Sequence, residues 1–228
     1  MIAASEIELR AGSELLLLAP MLRVDKGDRI GLVGRNGAGK TTLSRVLAGE
    51  SAPASGGIKT TGTVGYLPQD PRTADPDQLA RSRVLSARGL DAVSLRMAKA
   101  AEALAMPGIS AEEFDKSGER YNRALDEFES LGGYTAESEA ATIAASIGLD
   151  ERILSQPLGT LSGGQRRRVE LTRILFSDAD VLLLDEPTNH LDADSIRWLR
   201  KYLGAYEGGF IVISHDTELL EDTVNKVW

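Results

Sequence analysis

The fold of this chain is decided by the stretch Gly34-Arg35-Asn36-Gly37-Ala38-Gly39-Lys40-Thr41. It fits the pattern G-x-x-x-x-G-K-[ST], whose glycines let backbone N–H groups converge on phosphate oxygens. The apolar residues 29–33 before it predict a buried strand, and residues 42–48 after it have helical spacing. The helix start adds its positive dipole end. This strand–loop–helix unit predicts a phosphate site in which Lys40 supplies charge to the outer phosphates and Thr41 a hydroxyl to Mg²⁺.

Further strands and helices alternate on both sides of this unit. Residues 6–10 alternate polar and apolar, which predicts a half-buried strand. Residues 64–67, 181–184 and 210–213 are short apolar runs typical of strands covered on both faces, and residues 195–203 have helical spacing. Strands that alternate with helices indicate an α/β fold with a mostly parallel sheet.

The middle of the chain has a different composition. From about residue 75 to residue 150 it is rich in Ala, Leu, Glu and Arg with helical periodicity, broken at Pro107-Gly108 and Gly132-Gly133. We therefore predict an inserted helical subdomain. Its second half is acidic, and no heptad repeat is sustained, which argues against a long coiled coil.

Polar side chains follow three of the predicted strands. Asp185 and Glu186 come directly after the buried run at 181–184, Gln69 follows the strand at 64–67, and His215 follows the last strand. Ligands of open parallel sheets bind at this edge. Asp185 is placed to bind Mg²⁺, directly or through water, and Glu186 to orient or deprotonate an attacking water. Taken alone, the acidic pair is more typical of a solvated strand end, and a lone Gln or His at such a position is ordinarily structural.

A second glycine-rich stretch, Leu161-Ser162-Gly163-Gly164-Gln165, precedes a helical run. Ser162 and Gln165 have capping-box spacing, which predicts Ser162 as the N-cap. The glycines leave the helix start open, and such a start can bind an anion. A capped helix with no ligand is the simpler interpretation of this segment alone.

Composition limits the remaining possibilities. The 228 residues include no cysteine, which excludes disulfides and thiolate metal sites and suits a cytoplasmic protein. The net charge of −8 argues against a protein that coats nucleic acid with its whole surface. No apolar run approaches the length of a membrane span, and the N-terminus lacks the features of a signal peptide, so we expect no membrane insertion.

Taken together, these motifs resemble the nucleotide-binding domain of ATP-binding-cassette (ABC) ATPases. The Walker A loop lies at residues 34–41, the Q-loop at Gln69, the LSGGQ signature at residues 161–165 and the Walker B strand before Asp185-Glu186. A D-loop ends at Asp192, and His215 is the switch histidine. The resemblance covers nearly the whole chain.

The family resemblance implies a P-loop NTPase fold of the ABC type: a mostly parallel core sheet, an N-terminal antiparallel β subdomain and a helical subdomain. Residues 1–74 and 155–228 are expected to form the core with the β subdomain, and residues 75–154 the helical subdomain. All of residues 1–228 are expected to form one ABC ATPase domain.

The resemblance also implies site residues. ATP and Mg²⁺ are the expected ligands. Catalysis is assigned to Glu186, His215, Lys40 and Gln69, and the metal to Thr41, Gln69 and Asp185. Nucleotide binding is assigned to Gly34, Arg35, Asn36, Gly37, Ala38, Gly39, Lys40, Thr41, Thr42, Ser162, Gly163, Gly164 and Gln165. Two cassettes are expected to meet head to tail, so that the signature of one caps the γ-phosphate held by the other.

The stretch Glu186-Pro187-Thr188-Asn189-His190-Leu191-Asp192 resembles the ABC-F pattern. ABC-F proteins carry two cassettes in one chain and mostly act on ribosomes in translation or antibiotic resistance, so the resemblance implies an ATPase with the ribosome as a possible partner. The alternative is the ATPase subunit of a membrane ABC transporter, against which Asn189-His190 counts. A sensor that binds ATP without turnover is disfavoured by the intact catalytic residues, and a DNA-repair cassette by the short interval between Gln69 and Leu161.

Three features depart from the family pattern. The chain stops at Trp228 without a second cassette, which resembles the N-terminal half of an ABC-F protein, and a homodimer is expected for this piece. The stretch Arg10-Ala11-Gly12 has no aromatic residue to stack on adenine, which leaves Arg10 or other contacts for the base. The inserted region is modest in length and partly acidic, whereas ABC-F arms are often long and basic.

Overall fold

The computed structural model describes residues 1–69 and 75–228 of the chain. The described residues cluster into two compact units. The first unit contains the residues up to Gln69 together with Ser146–Gly148 and Ser177–Trp228, and the second contains the residues between these segments. Each unit has its own architecture.

An antiparallel sheet forms the N-terminal part of the first unit. Its strands are β1 (Ile2–Ala11), β2 (Glu14–Val24) and β4 (Ser55–Thr60), in the order β2-β1-β4. β1 pairs with β2 from Ile2 opposite Val24 to Ala11 opposite Glu14. The predicted strand at residues 6–10 lies within β1, and the antiparallel β subdomain implied by the family resemblance is confirmed.

A parallel sheet forms the remainder of the first unit. Its strands are β3 (Arg29–Gly31), β5 (Val64–Leu67), β6 (Val181–Asp185), β7 (Gly209–Ile213) and β8 (Lys226–Val227). The order is β5-β6-β7-β3-β8, and every pairing is parallel. All residues of β6 and β7 are buried, as their continuous apolar runs predict. The parallel sheet expected from the sequence is confirmed.

Three helices complete the first unit: α1 (Lys40–Leu47), α8 (Ala193–Ala205) and α9 (Thr217–Thr223). The apolar face of α1, which includes Leu43 and Leu47, packs into a core shared with β1 and the parallel sheet. Burial of this face holds the first turn of α1 in a fixed position relative to the carboxyl ends of the strands. The fold thus brings a helix start and a sheet edge together.

The longer elements of the second unit are all helices. They are α2 (Ala80–Leu85), α3 (Leu90–Leu104), α4 (Ala111–Ser130), α5 (Gly133–Ser146), α6 (Glu151–Leu154) and α7 (Gly163–Phe176). The breaks between α3 and α4 and between α4 and α5 fall at the predicted glycines. The sequence placed the end of this region at residue 154, whereas Leu149–Phe176 clusters with it in the structure.

The physical reason is an ion-pair cluster that fixes α7 to α2. Glu170 on α7 is buried and accepts hydrogen bonds from Arg83 on α2 at 2.6 Å and from Arg173 at 2.8 Å. A buried carboxylate needs such cationic partners, because an unpaired charge in this position is costly. The signature helix is therefore part of the helical unit. Among the described residues, none of the helices combines the length and apolarity needed to cross a bilayer.

Candidate functional site

The phosphate loop runs from the end of β3 to the start of α1. Gly39, the N-cap residue of α1, has φ +89°, a left-handed conformation that favours glycine, and no side chain caps the helix. A Cβ at Gly39 would also lie 3.1 Å from Leu16 Cβ, which is tighter than ordinary packing. The first amides of α1 therefore keep their hydrogen-bonding capacity for a ligand.

Lys40 lies at the first helical position with its side chain folded back along the loop. Its Nζ donates to the Gly34 carbonyl at 2.7 Å and to the Arg35 carbonyl at 3.0 Å. These two carbonyls hold the ammonium group against the loop. The arrangement places a fixed positive charge beside a ready anion site.

Asp185 and Thr41 come together at the carboxyl end of β6. Asp185 is 1% exposed, and the Thr41 hydroxyl donates to its Oδ2 at 2.7 Å. A buried carboxylate beside a hydroxyl offers the oxygen ligands that Mg²⁺ prefers, with room for phosphate and water oxygens in the other positions. Within the described ranges there is no cluster of three or more His, Cys, Asp or Glu residues that could hold a metal alone. The pair therefore fits an ion that is shared with a phosphate ligand.

Glu186 follows directly and is held in an uncommon backbone conformation. Its φ is +50°, and its N–H donates to the Ile213 carbonyl at 2.8 Å, which continues the hydrogen bonding between β6 and β7. Strained backbone of this kind persists where surrounding contacts determine it, and it is concentrated at functional sites. The Glu186 side chain is 10% exposed and so lies buried at the carboxyl edge of the sheet.

His215 lies opposite Glu186 across the same edge. The backbone N–H of His215 is 3.4 Å from Glu186 Oε2, and its Nε2 is 3.5 Å from Glu186 Oε1. The imidazole is 73% exposed, so it faces the solvent side of the site while the carboxylate lies underneath. A buried carboxylate with an imidazole at this distance forms a polar pair whose two groups can both contact a ligand at this edge of the sheet.

A cavity of about 560 Å³ joins these groups. Its lining comes entirely from the first unit: Ala11, Leu16, Asn36, Gly37, Gly39, Lys40, Thr41, Thr42, Gln69, Asp185, Glu186, Thr188, Asn189, Ile213, His215 and Asp216. The sequence-predicted residues on the loop and on the three strand ends are thus brought together. Gly34, Arg35 and Ala38 belong to the loop but not to this lining. Residues 70–74, which follow Gln69, lie outside the described part of the chain.

The signature residues belong to the second unit. The Ser162 hydroxyl accepts a hydrogen bond from the Gln165 N–H at 3.2 Å, and the Gln165 side chain accepts one from the Ser162 N–H at 2.8 Å. This reciprocal pair is the capping box that the spacing predicts. Gly163 and Gly164 begin α7, and a Cβ built at Gly163 would meet nothing within 4 Å.

Some cavity residues were missed by the sequence analysis. Leu16 lines the cavity from the antiparallel sheet beside Ala11, which belongs to the stretch considered for the base, and Asp216, which caps α9 through the Leu219 N–H, also lines it. Arg10, considered from the sequence as a contact for the base, does not line the cavity. Its guanidinium pairs with the Glu8 carboxylate and donates to the Ser13 carbonyl. Of the sequence features, only the full lengths of β1 and β2 could have indicated this wall of the cavity. The sequence pattern predicted a strand at residues 6–10 alone.

Comparison with known proteins gives one consistent result. A protein-family model described as "ABC transporter" matches residues 19–189. The chain is 36% identical over 207 residues to the energy-dependent translational throttle protein EttA of Haemophilus influenzae, covering 88% of this chain and 36% of that protein. It is 35% identical over 222 residues to the tylosin resistance ATP-binding protein TlrC of Streptomyces fradiae, covering 93% and 39%.

Solved structures agree on the fold. The chain superposes on a structure described as the ATP binding subunit of an ABC transporter with a TM-score of 0.69, at 18% identity, covering 98% of this chain and 83% of that one. The chain spans between a third and two fifths of the length of the curated relatives it matches. The similarity to those relatives therefore concerns one part of each.

Proposed function

The chain belongs to the ATP-binding-cassette family, as a nucleotide-binding domain of the ABC-F type, and we propose that it binds Mg²⁺-ATP in the cavity around Lys40 and hydrolyses its γ-phosphate. The observation that carries this proposal is the shared cavity. It joins the uncapped start of α1, the Thr41–Asp185 pair and the Glu186–His215 pair at one edge of the parallel sheet.

The residues that line this site have distinct roles in the proposed reaction. The amides of the phosphate loop and the Lys40 ammonium bind the β- and γ-phosphates and stabilise the charge that develops on their oxygens. Thr41 and Asp185 would hold Mg²⁺, with Gln69 at the rim of the cavity. When bound, the ion neutralises phosphate charge and orients the outer phosphates.

Water activation is assigned to the other pair. Glu186 accepts a hydrogen bond from the attacking water and lines it up with the γ-phosphorus, taking its proton as the new bond forms. The bond between the γ-phosphorus and the β,γ-bridging oxygen then breaks, which yields ADP and phosphate. His215, exposed above Glu186, donates to the γ-phosphate and so holds it at the distance needed for attack. The backbone of Glu186, whose N–H donates to the Ile213 carbonyl, supports this position of the carboxylate.

Replacing Glu186 by Gln tests this assignment. The amide keeps the shape of the side chain but cannot take a proton, so ATP binding should persist while turnover falls about 100-fold or more. Turnover is measured by phosphate release and affinity by calorimetry. Glu221→Gln, on the exposed face of α9, is the matched control and should change neither. Parental turnover in the Glu186→Gln chain would refute the assignment.

A second cassette completes the site in this proposal. The start of α7 suits the γ-phosphate of a partner's nucleotide, because a Cβ built at Gly163 would meet nothing within 4 Å and a helix N-terminus favours an anion. Each chain carries both halves, so ATP should draw two copies of the Glu186→Gln chain into a two-fold homodimer. Light scattering with and without ATP measures this. Fast turnover by a chain that remains monomeric would contradict the need for a second cassette.

We also infer that the cassette acts on the ribosome and that its location is cytoplasmic. A relative named as a translational throttle protein, 36% identical to this chain, supports the inference. Closure on ATP and release after hydrolysis would time contact with the ribosome. The Glu186→Gln chain should therefore co-sediment with 70S ribosomes in ATP and not in ADP. Equal sedimentation in the two nucleotides would remove this part of the proposal.

A further inference from the structure

Two loops form the part of the cavity that surrounds the Glu186–His215 pair. One leads from the end of β6 into α8 and contributes Thr188 and Asn189 to the cavity lining. The other is the short connection between β7 and α9, which contains His215 and Asp216. Because each loop joins a buried strand to a helix, the contact between α8 and α9 helps to set the distance between the two loops.

The His215 side chain depends on its loop for its position. Its imidazole is 73% exposed, and its Nε2 lies 3.5 Å from Glu186 Oε1. An exposed side chain changes rotamer readily, so its average position follows the backbone that carries it. On one side of His215 the backbone is held by β7, whose residues are all buried. On the other side it is held by Asp216.

Asp216 connects this loop to both helices. Its Oδ1 accepts a hydrogen bond from the Leu219 N–H at 3.0 Å, which caps α9. Its own N–H donates to the Ser214 hydroxyl at 3.0 Å. The same carboxylate accepts from Nη2 of Arg200 on α8, at 3.2 Å to Oδ1 and 3.4 Å to Oδ2. Asp216 is therefore the point at which α8 is bonded to the loop that carries His215.

Arg200 has the geometry to hold this point. Its side chain is 21% exposed, and its Nη1 donates to Glu218 Oε2 in the first turn of α9 at 2.6 Å. A guanidinium presents its donors in a rigid planar fork, so one side chain can bridge two carboxylates in a fixed arrangement. The Glu218 side chain is 74% exposed, and ion pairs with exposed groups contribute little to stability. The main consequence of the bridge is therefore the position of the loop.

We propose that Arg200 is a positioning residue for ATP hydrolysis, which acts through Asp216 to hold His215 where it contacts the γ-phosphate. The inference rests on the proposed function, because it uses the role given there to His215. The described lining of the cavity does not include Arg200. Loss of its bonds to Asp216 leaves the phosphate loop unchanged, so a substitution should act on the chemical step and not on ATP binding.

Kinetics of Arg200→Ala test the proposal. Its kcat at saturating Mg²⁺-ATP should fall about tenfold, because a displaced reacting group costs transition-state stabilisation. The dissociation constant for ATP should stay within about twofold of the parental value. Phosphate release from radiolabelled ATP measures kcat, calorimetry measures affinity and light scattering measures ATP-dependent association. Arg197→Ala is the matched control and should change none of them, because Arg197 pairs with Asp194 on the exposed face of the same helix.

A double substitution shows whether Arg200 acts through His215. His215→Ala alone should lower kcat about 100-fold, the usual cost of removing one donor to a developing charge. If Arg200 acts by placing His215, adding Arg200→Ala to the His215→Ala chain should lower kcat no further. A purely structural role for Arg200 would make the two effects independent, so that their fold-changes multiply.

Arg200→Lys separates the charge of Arg200 from its geometry. Lysine keeps the positive charge but has one nitrogen in place of the fork, so it cannot bridge Asp216 and Glu218 in the same way. Its kcat should lie between those of the parental and Arg200→Ala chains, again with parental ATP affinity. Urea unfolding shows whether each variant folds, and Arg200→Lys provides the same test if the alanine variant does not.

Failure of the inference and failure of the proposed function give different results. Parental kcat in both Arg200 variants would overturn the inference. It is also overturned by a loss of ATP affinity or of association that accounts for the lost turnover, and by multiplying effects of Arg200→Ala and His215→Ala. A parental chain that releases no phosphate, or a His215→Ala chain with parental kcat, would instead overturn the proposed function.

Discussion

Helices α1 and α7 both begin at a glycine-rich stretch, and they differ in what the chain itself supplies to their first turns. The start of α1 has no side-chain cap, a left-handed glycine before it and the Lys40 ammonium beside it. The start of α7 has a reciprocal capping box between Ser162 and Gln165. The first amides of α1 have no side-chain acceptor, whereas the capping box satisfies part of the hydrogen-bonding capacity at the start of α7.

This difference indicates how the two ends divide the work. An uncapped helix start with a fixed cation is a complete anion site, because a bound anion accepts the hydrogen bonds that a capping side chain would otherwise accept. A capped start is already stabilised by its own side chains, so it has fewer free amides to offer to an anion. We therefore expect the α1 end to bind nucleotide by itself, and the α7 end to contribute only when a nucleotide is brought to it by a second cassette.

The largest expected effect is at Lys40. Lys40→Ala removes the charge-assisted hydrogen bonds to the outer phosphates, worth about 3 kcal/mol, so the ATP dissociation constant should rise about 100-fold or more. Calorimetry measures it, with Lys201→Ala on the exposed face of α8 as the control. Ser162→Ala should leave the ATP affinity of a single cassette unchanged. A Lys40→Ala chain that keeps near-parental affinity would remove the distinction between the two helix ends.

The glycines before and within the two helices should respond differently to the same change. Gly39→Ala forces alanine into a left-handed conformation against Leu16 and should cost about 2 kcal/mol of unfolding free energy. At Gly163 a Cβ meets nothing within 4 Å, so Gly163→Ala should leave stability unchanged or raise it. Urea unfolding of the two variants compares them. Equal losses of unfolding free energy in the two variants would show that the helix starts at Gly39 and Gly163 have the same backbone requirement.

A smaller effect is expected from the cap of α7. Ser162→Ala removes the acceptor for the Gln165 N–H and should cost about 1 kcal/mol of unfolding free energy. Ser162→Asp restores an acceptor and should recover most of that stability. Because a carboxylate at this position repels phosphate, the Asp variant should nevertheless lose ATP-dependent dimerisation. Recovery of both properties by Asp would argue against a phosphate contact at the start of α7.

Much of the first unit could be predicted because its signals are local. The loop at residues 34–41, the buried strand before Asp185 and the order of polar residues at strand ends all lie within short windows. The capping box at Ser162 is equally local, and the structure confirms it. Interactions between residues that lie only a few positions apart can be predicted from a single sequence.

The features that were missed depend on distant partners. β4 includes Gly56 and Gly57 and has little strand propensity, and it is formed through its pairing with β1. Glu170 is buried because Arg83, 87 residues earlier, reaches it, and this contact draws α7 into the helical unit. The wall formed by Ala11 and Leu16 is created by a hairpin packed on Gly39. None of these pairings leaves a pattern within a short window.

Magnesium dependence of ATP affinity tests the central claim most directly. In the proposed function, the triphosphate lies between the amides around Lys40 and an ion held by Thr41 and Asp185, whose Oγ1 and Oδ2 atoms are 2.7 Å apart. Titration of the folded chain with ATP should show clearly tighter binding in Mg²⁺ than in EDTA, and Asp185→Asn should abolish that difference. A folded chain whose affinity for ATP is the same with and without Mg²⁺, or absent in both conditions, would contradict the account.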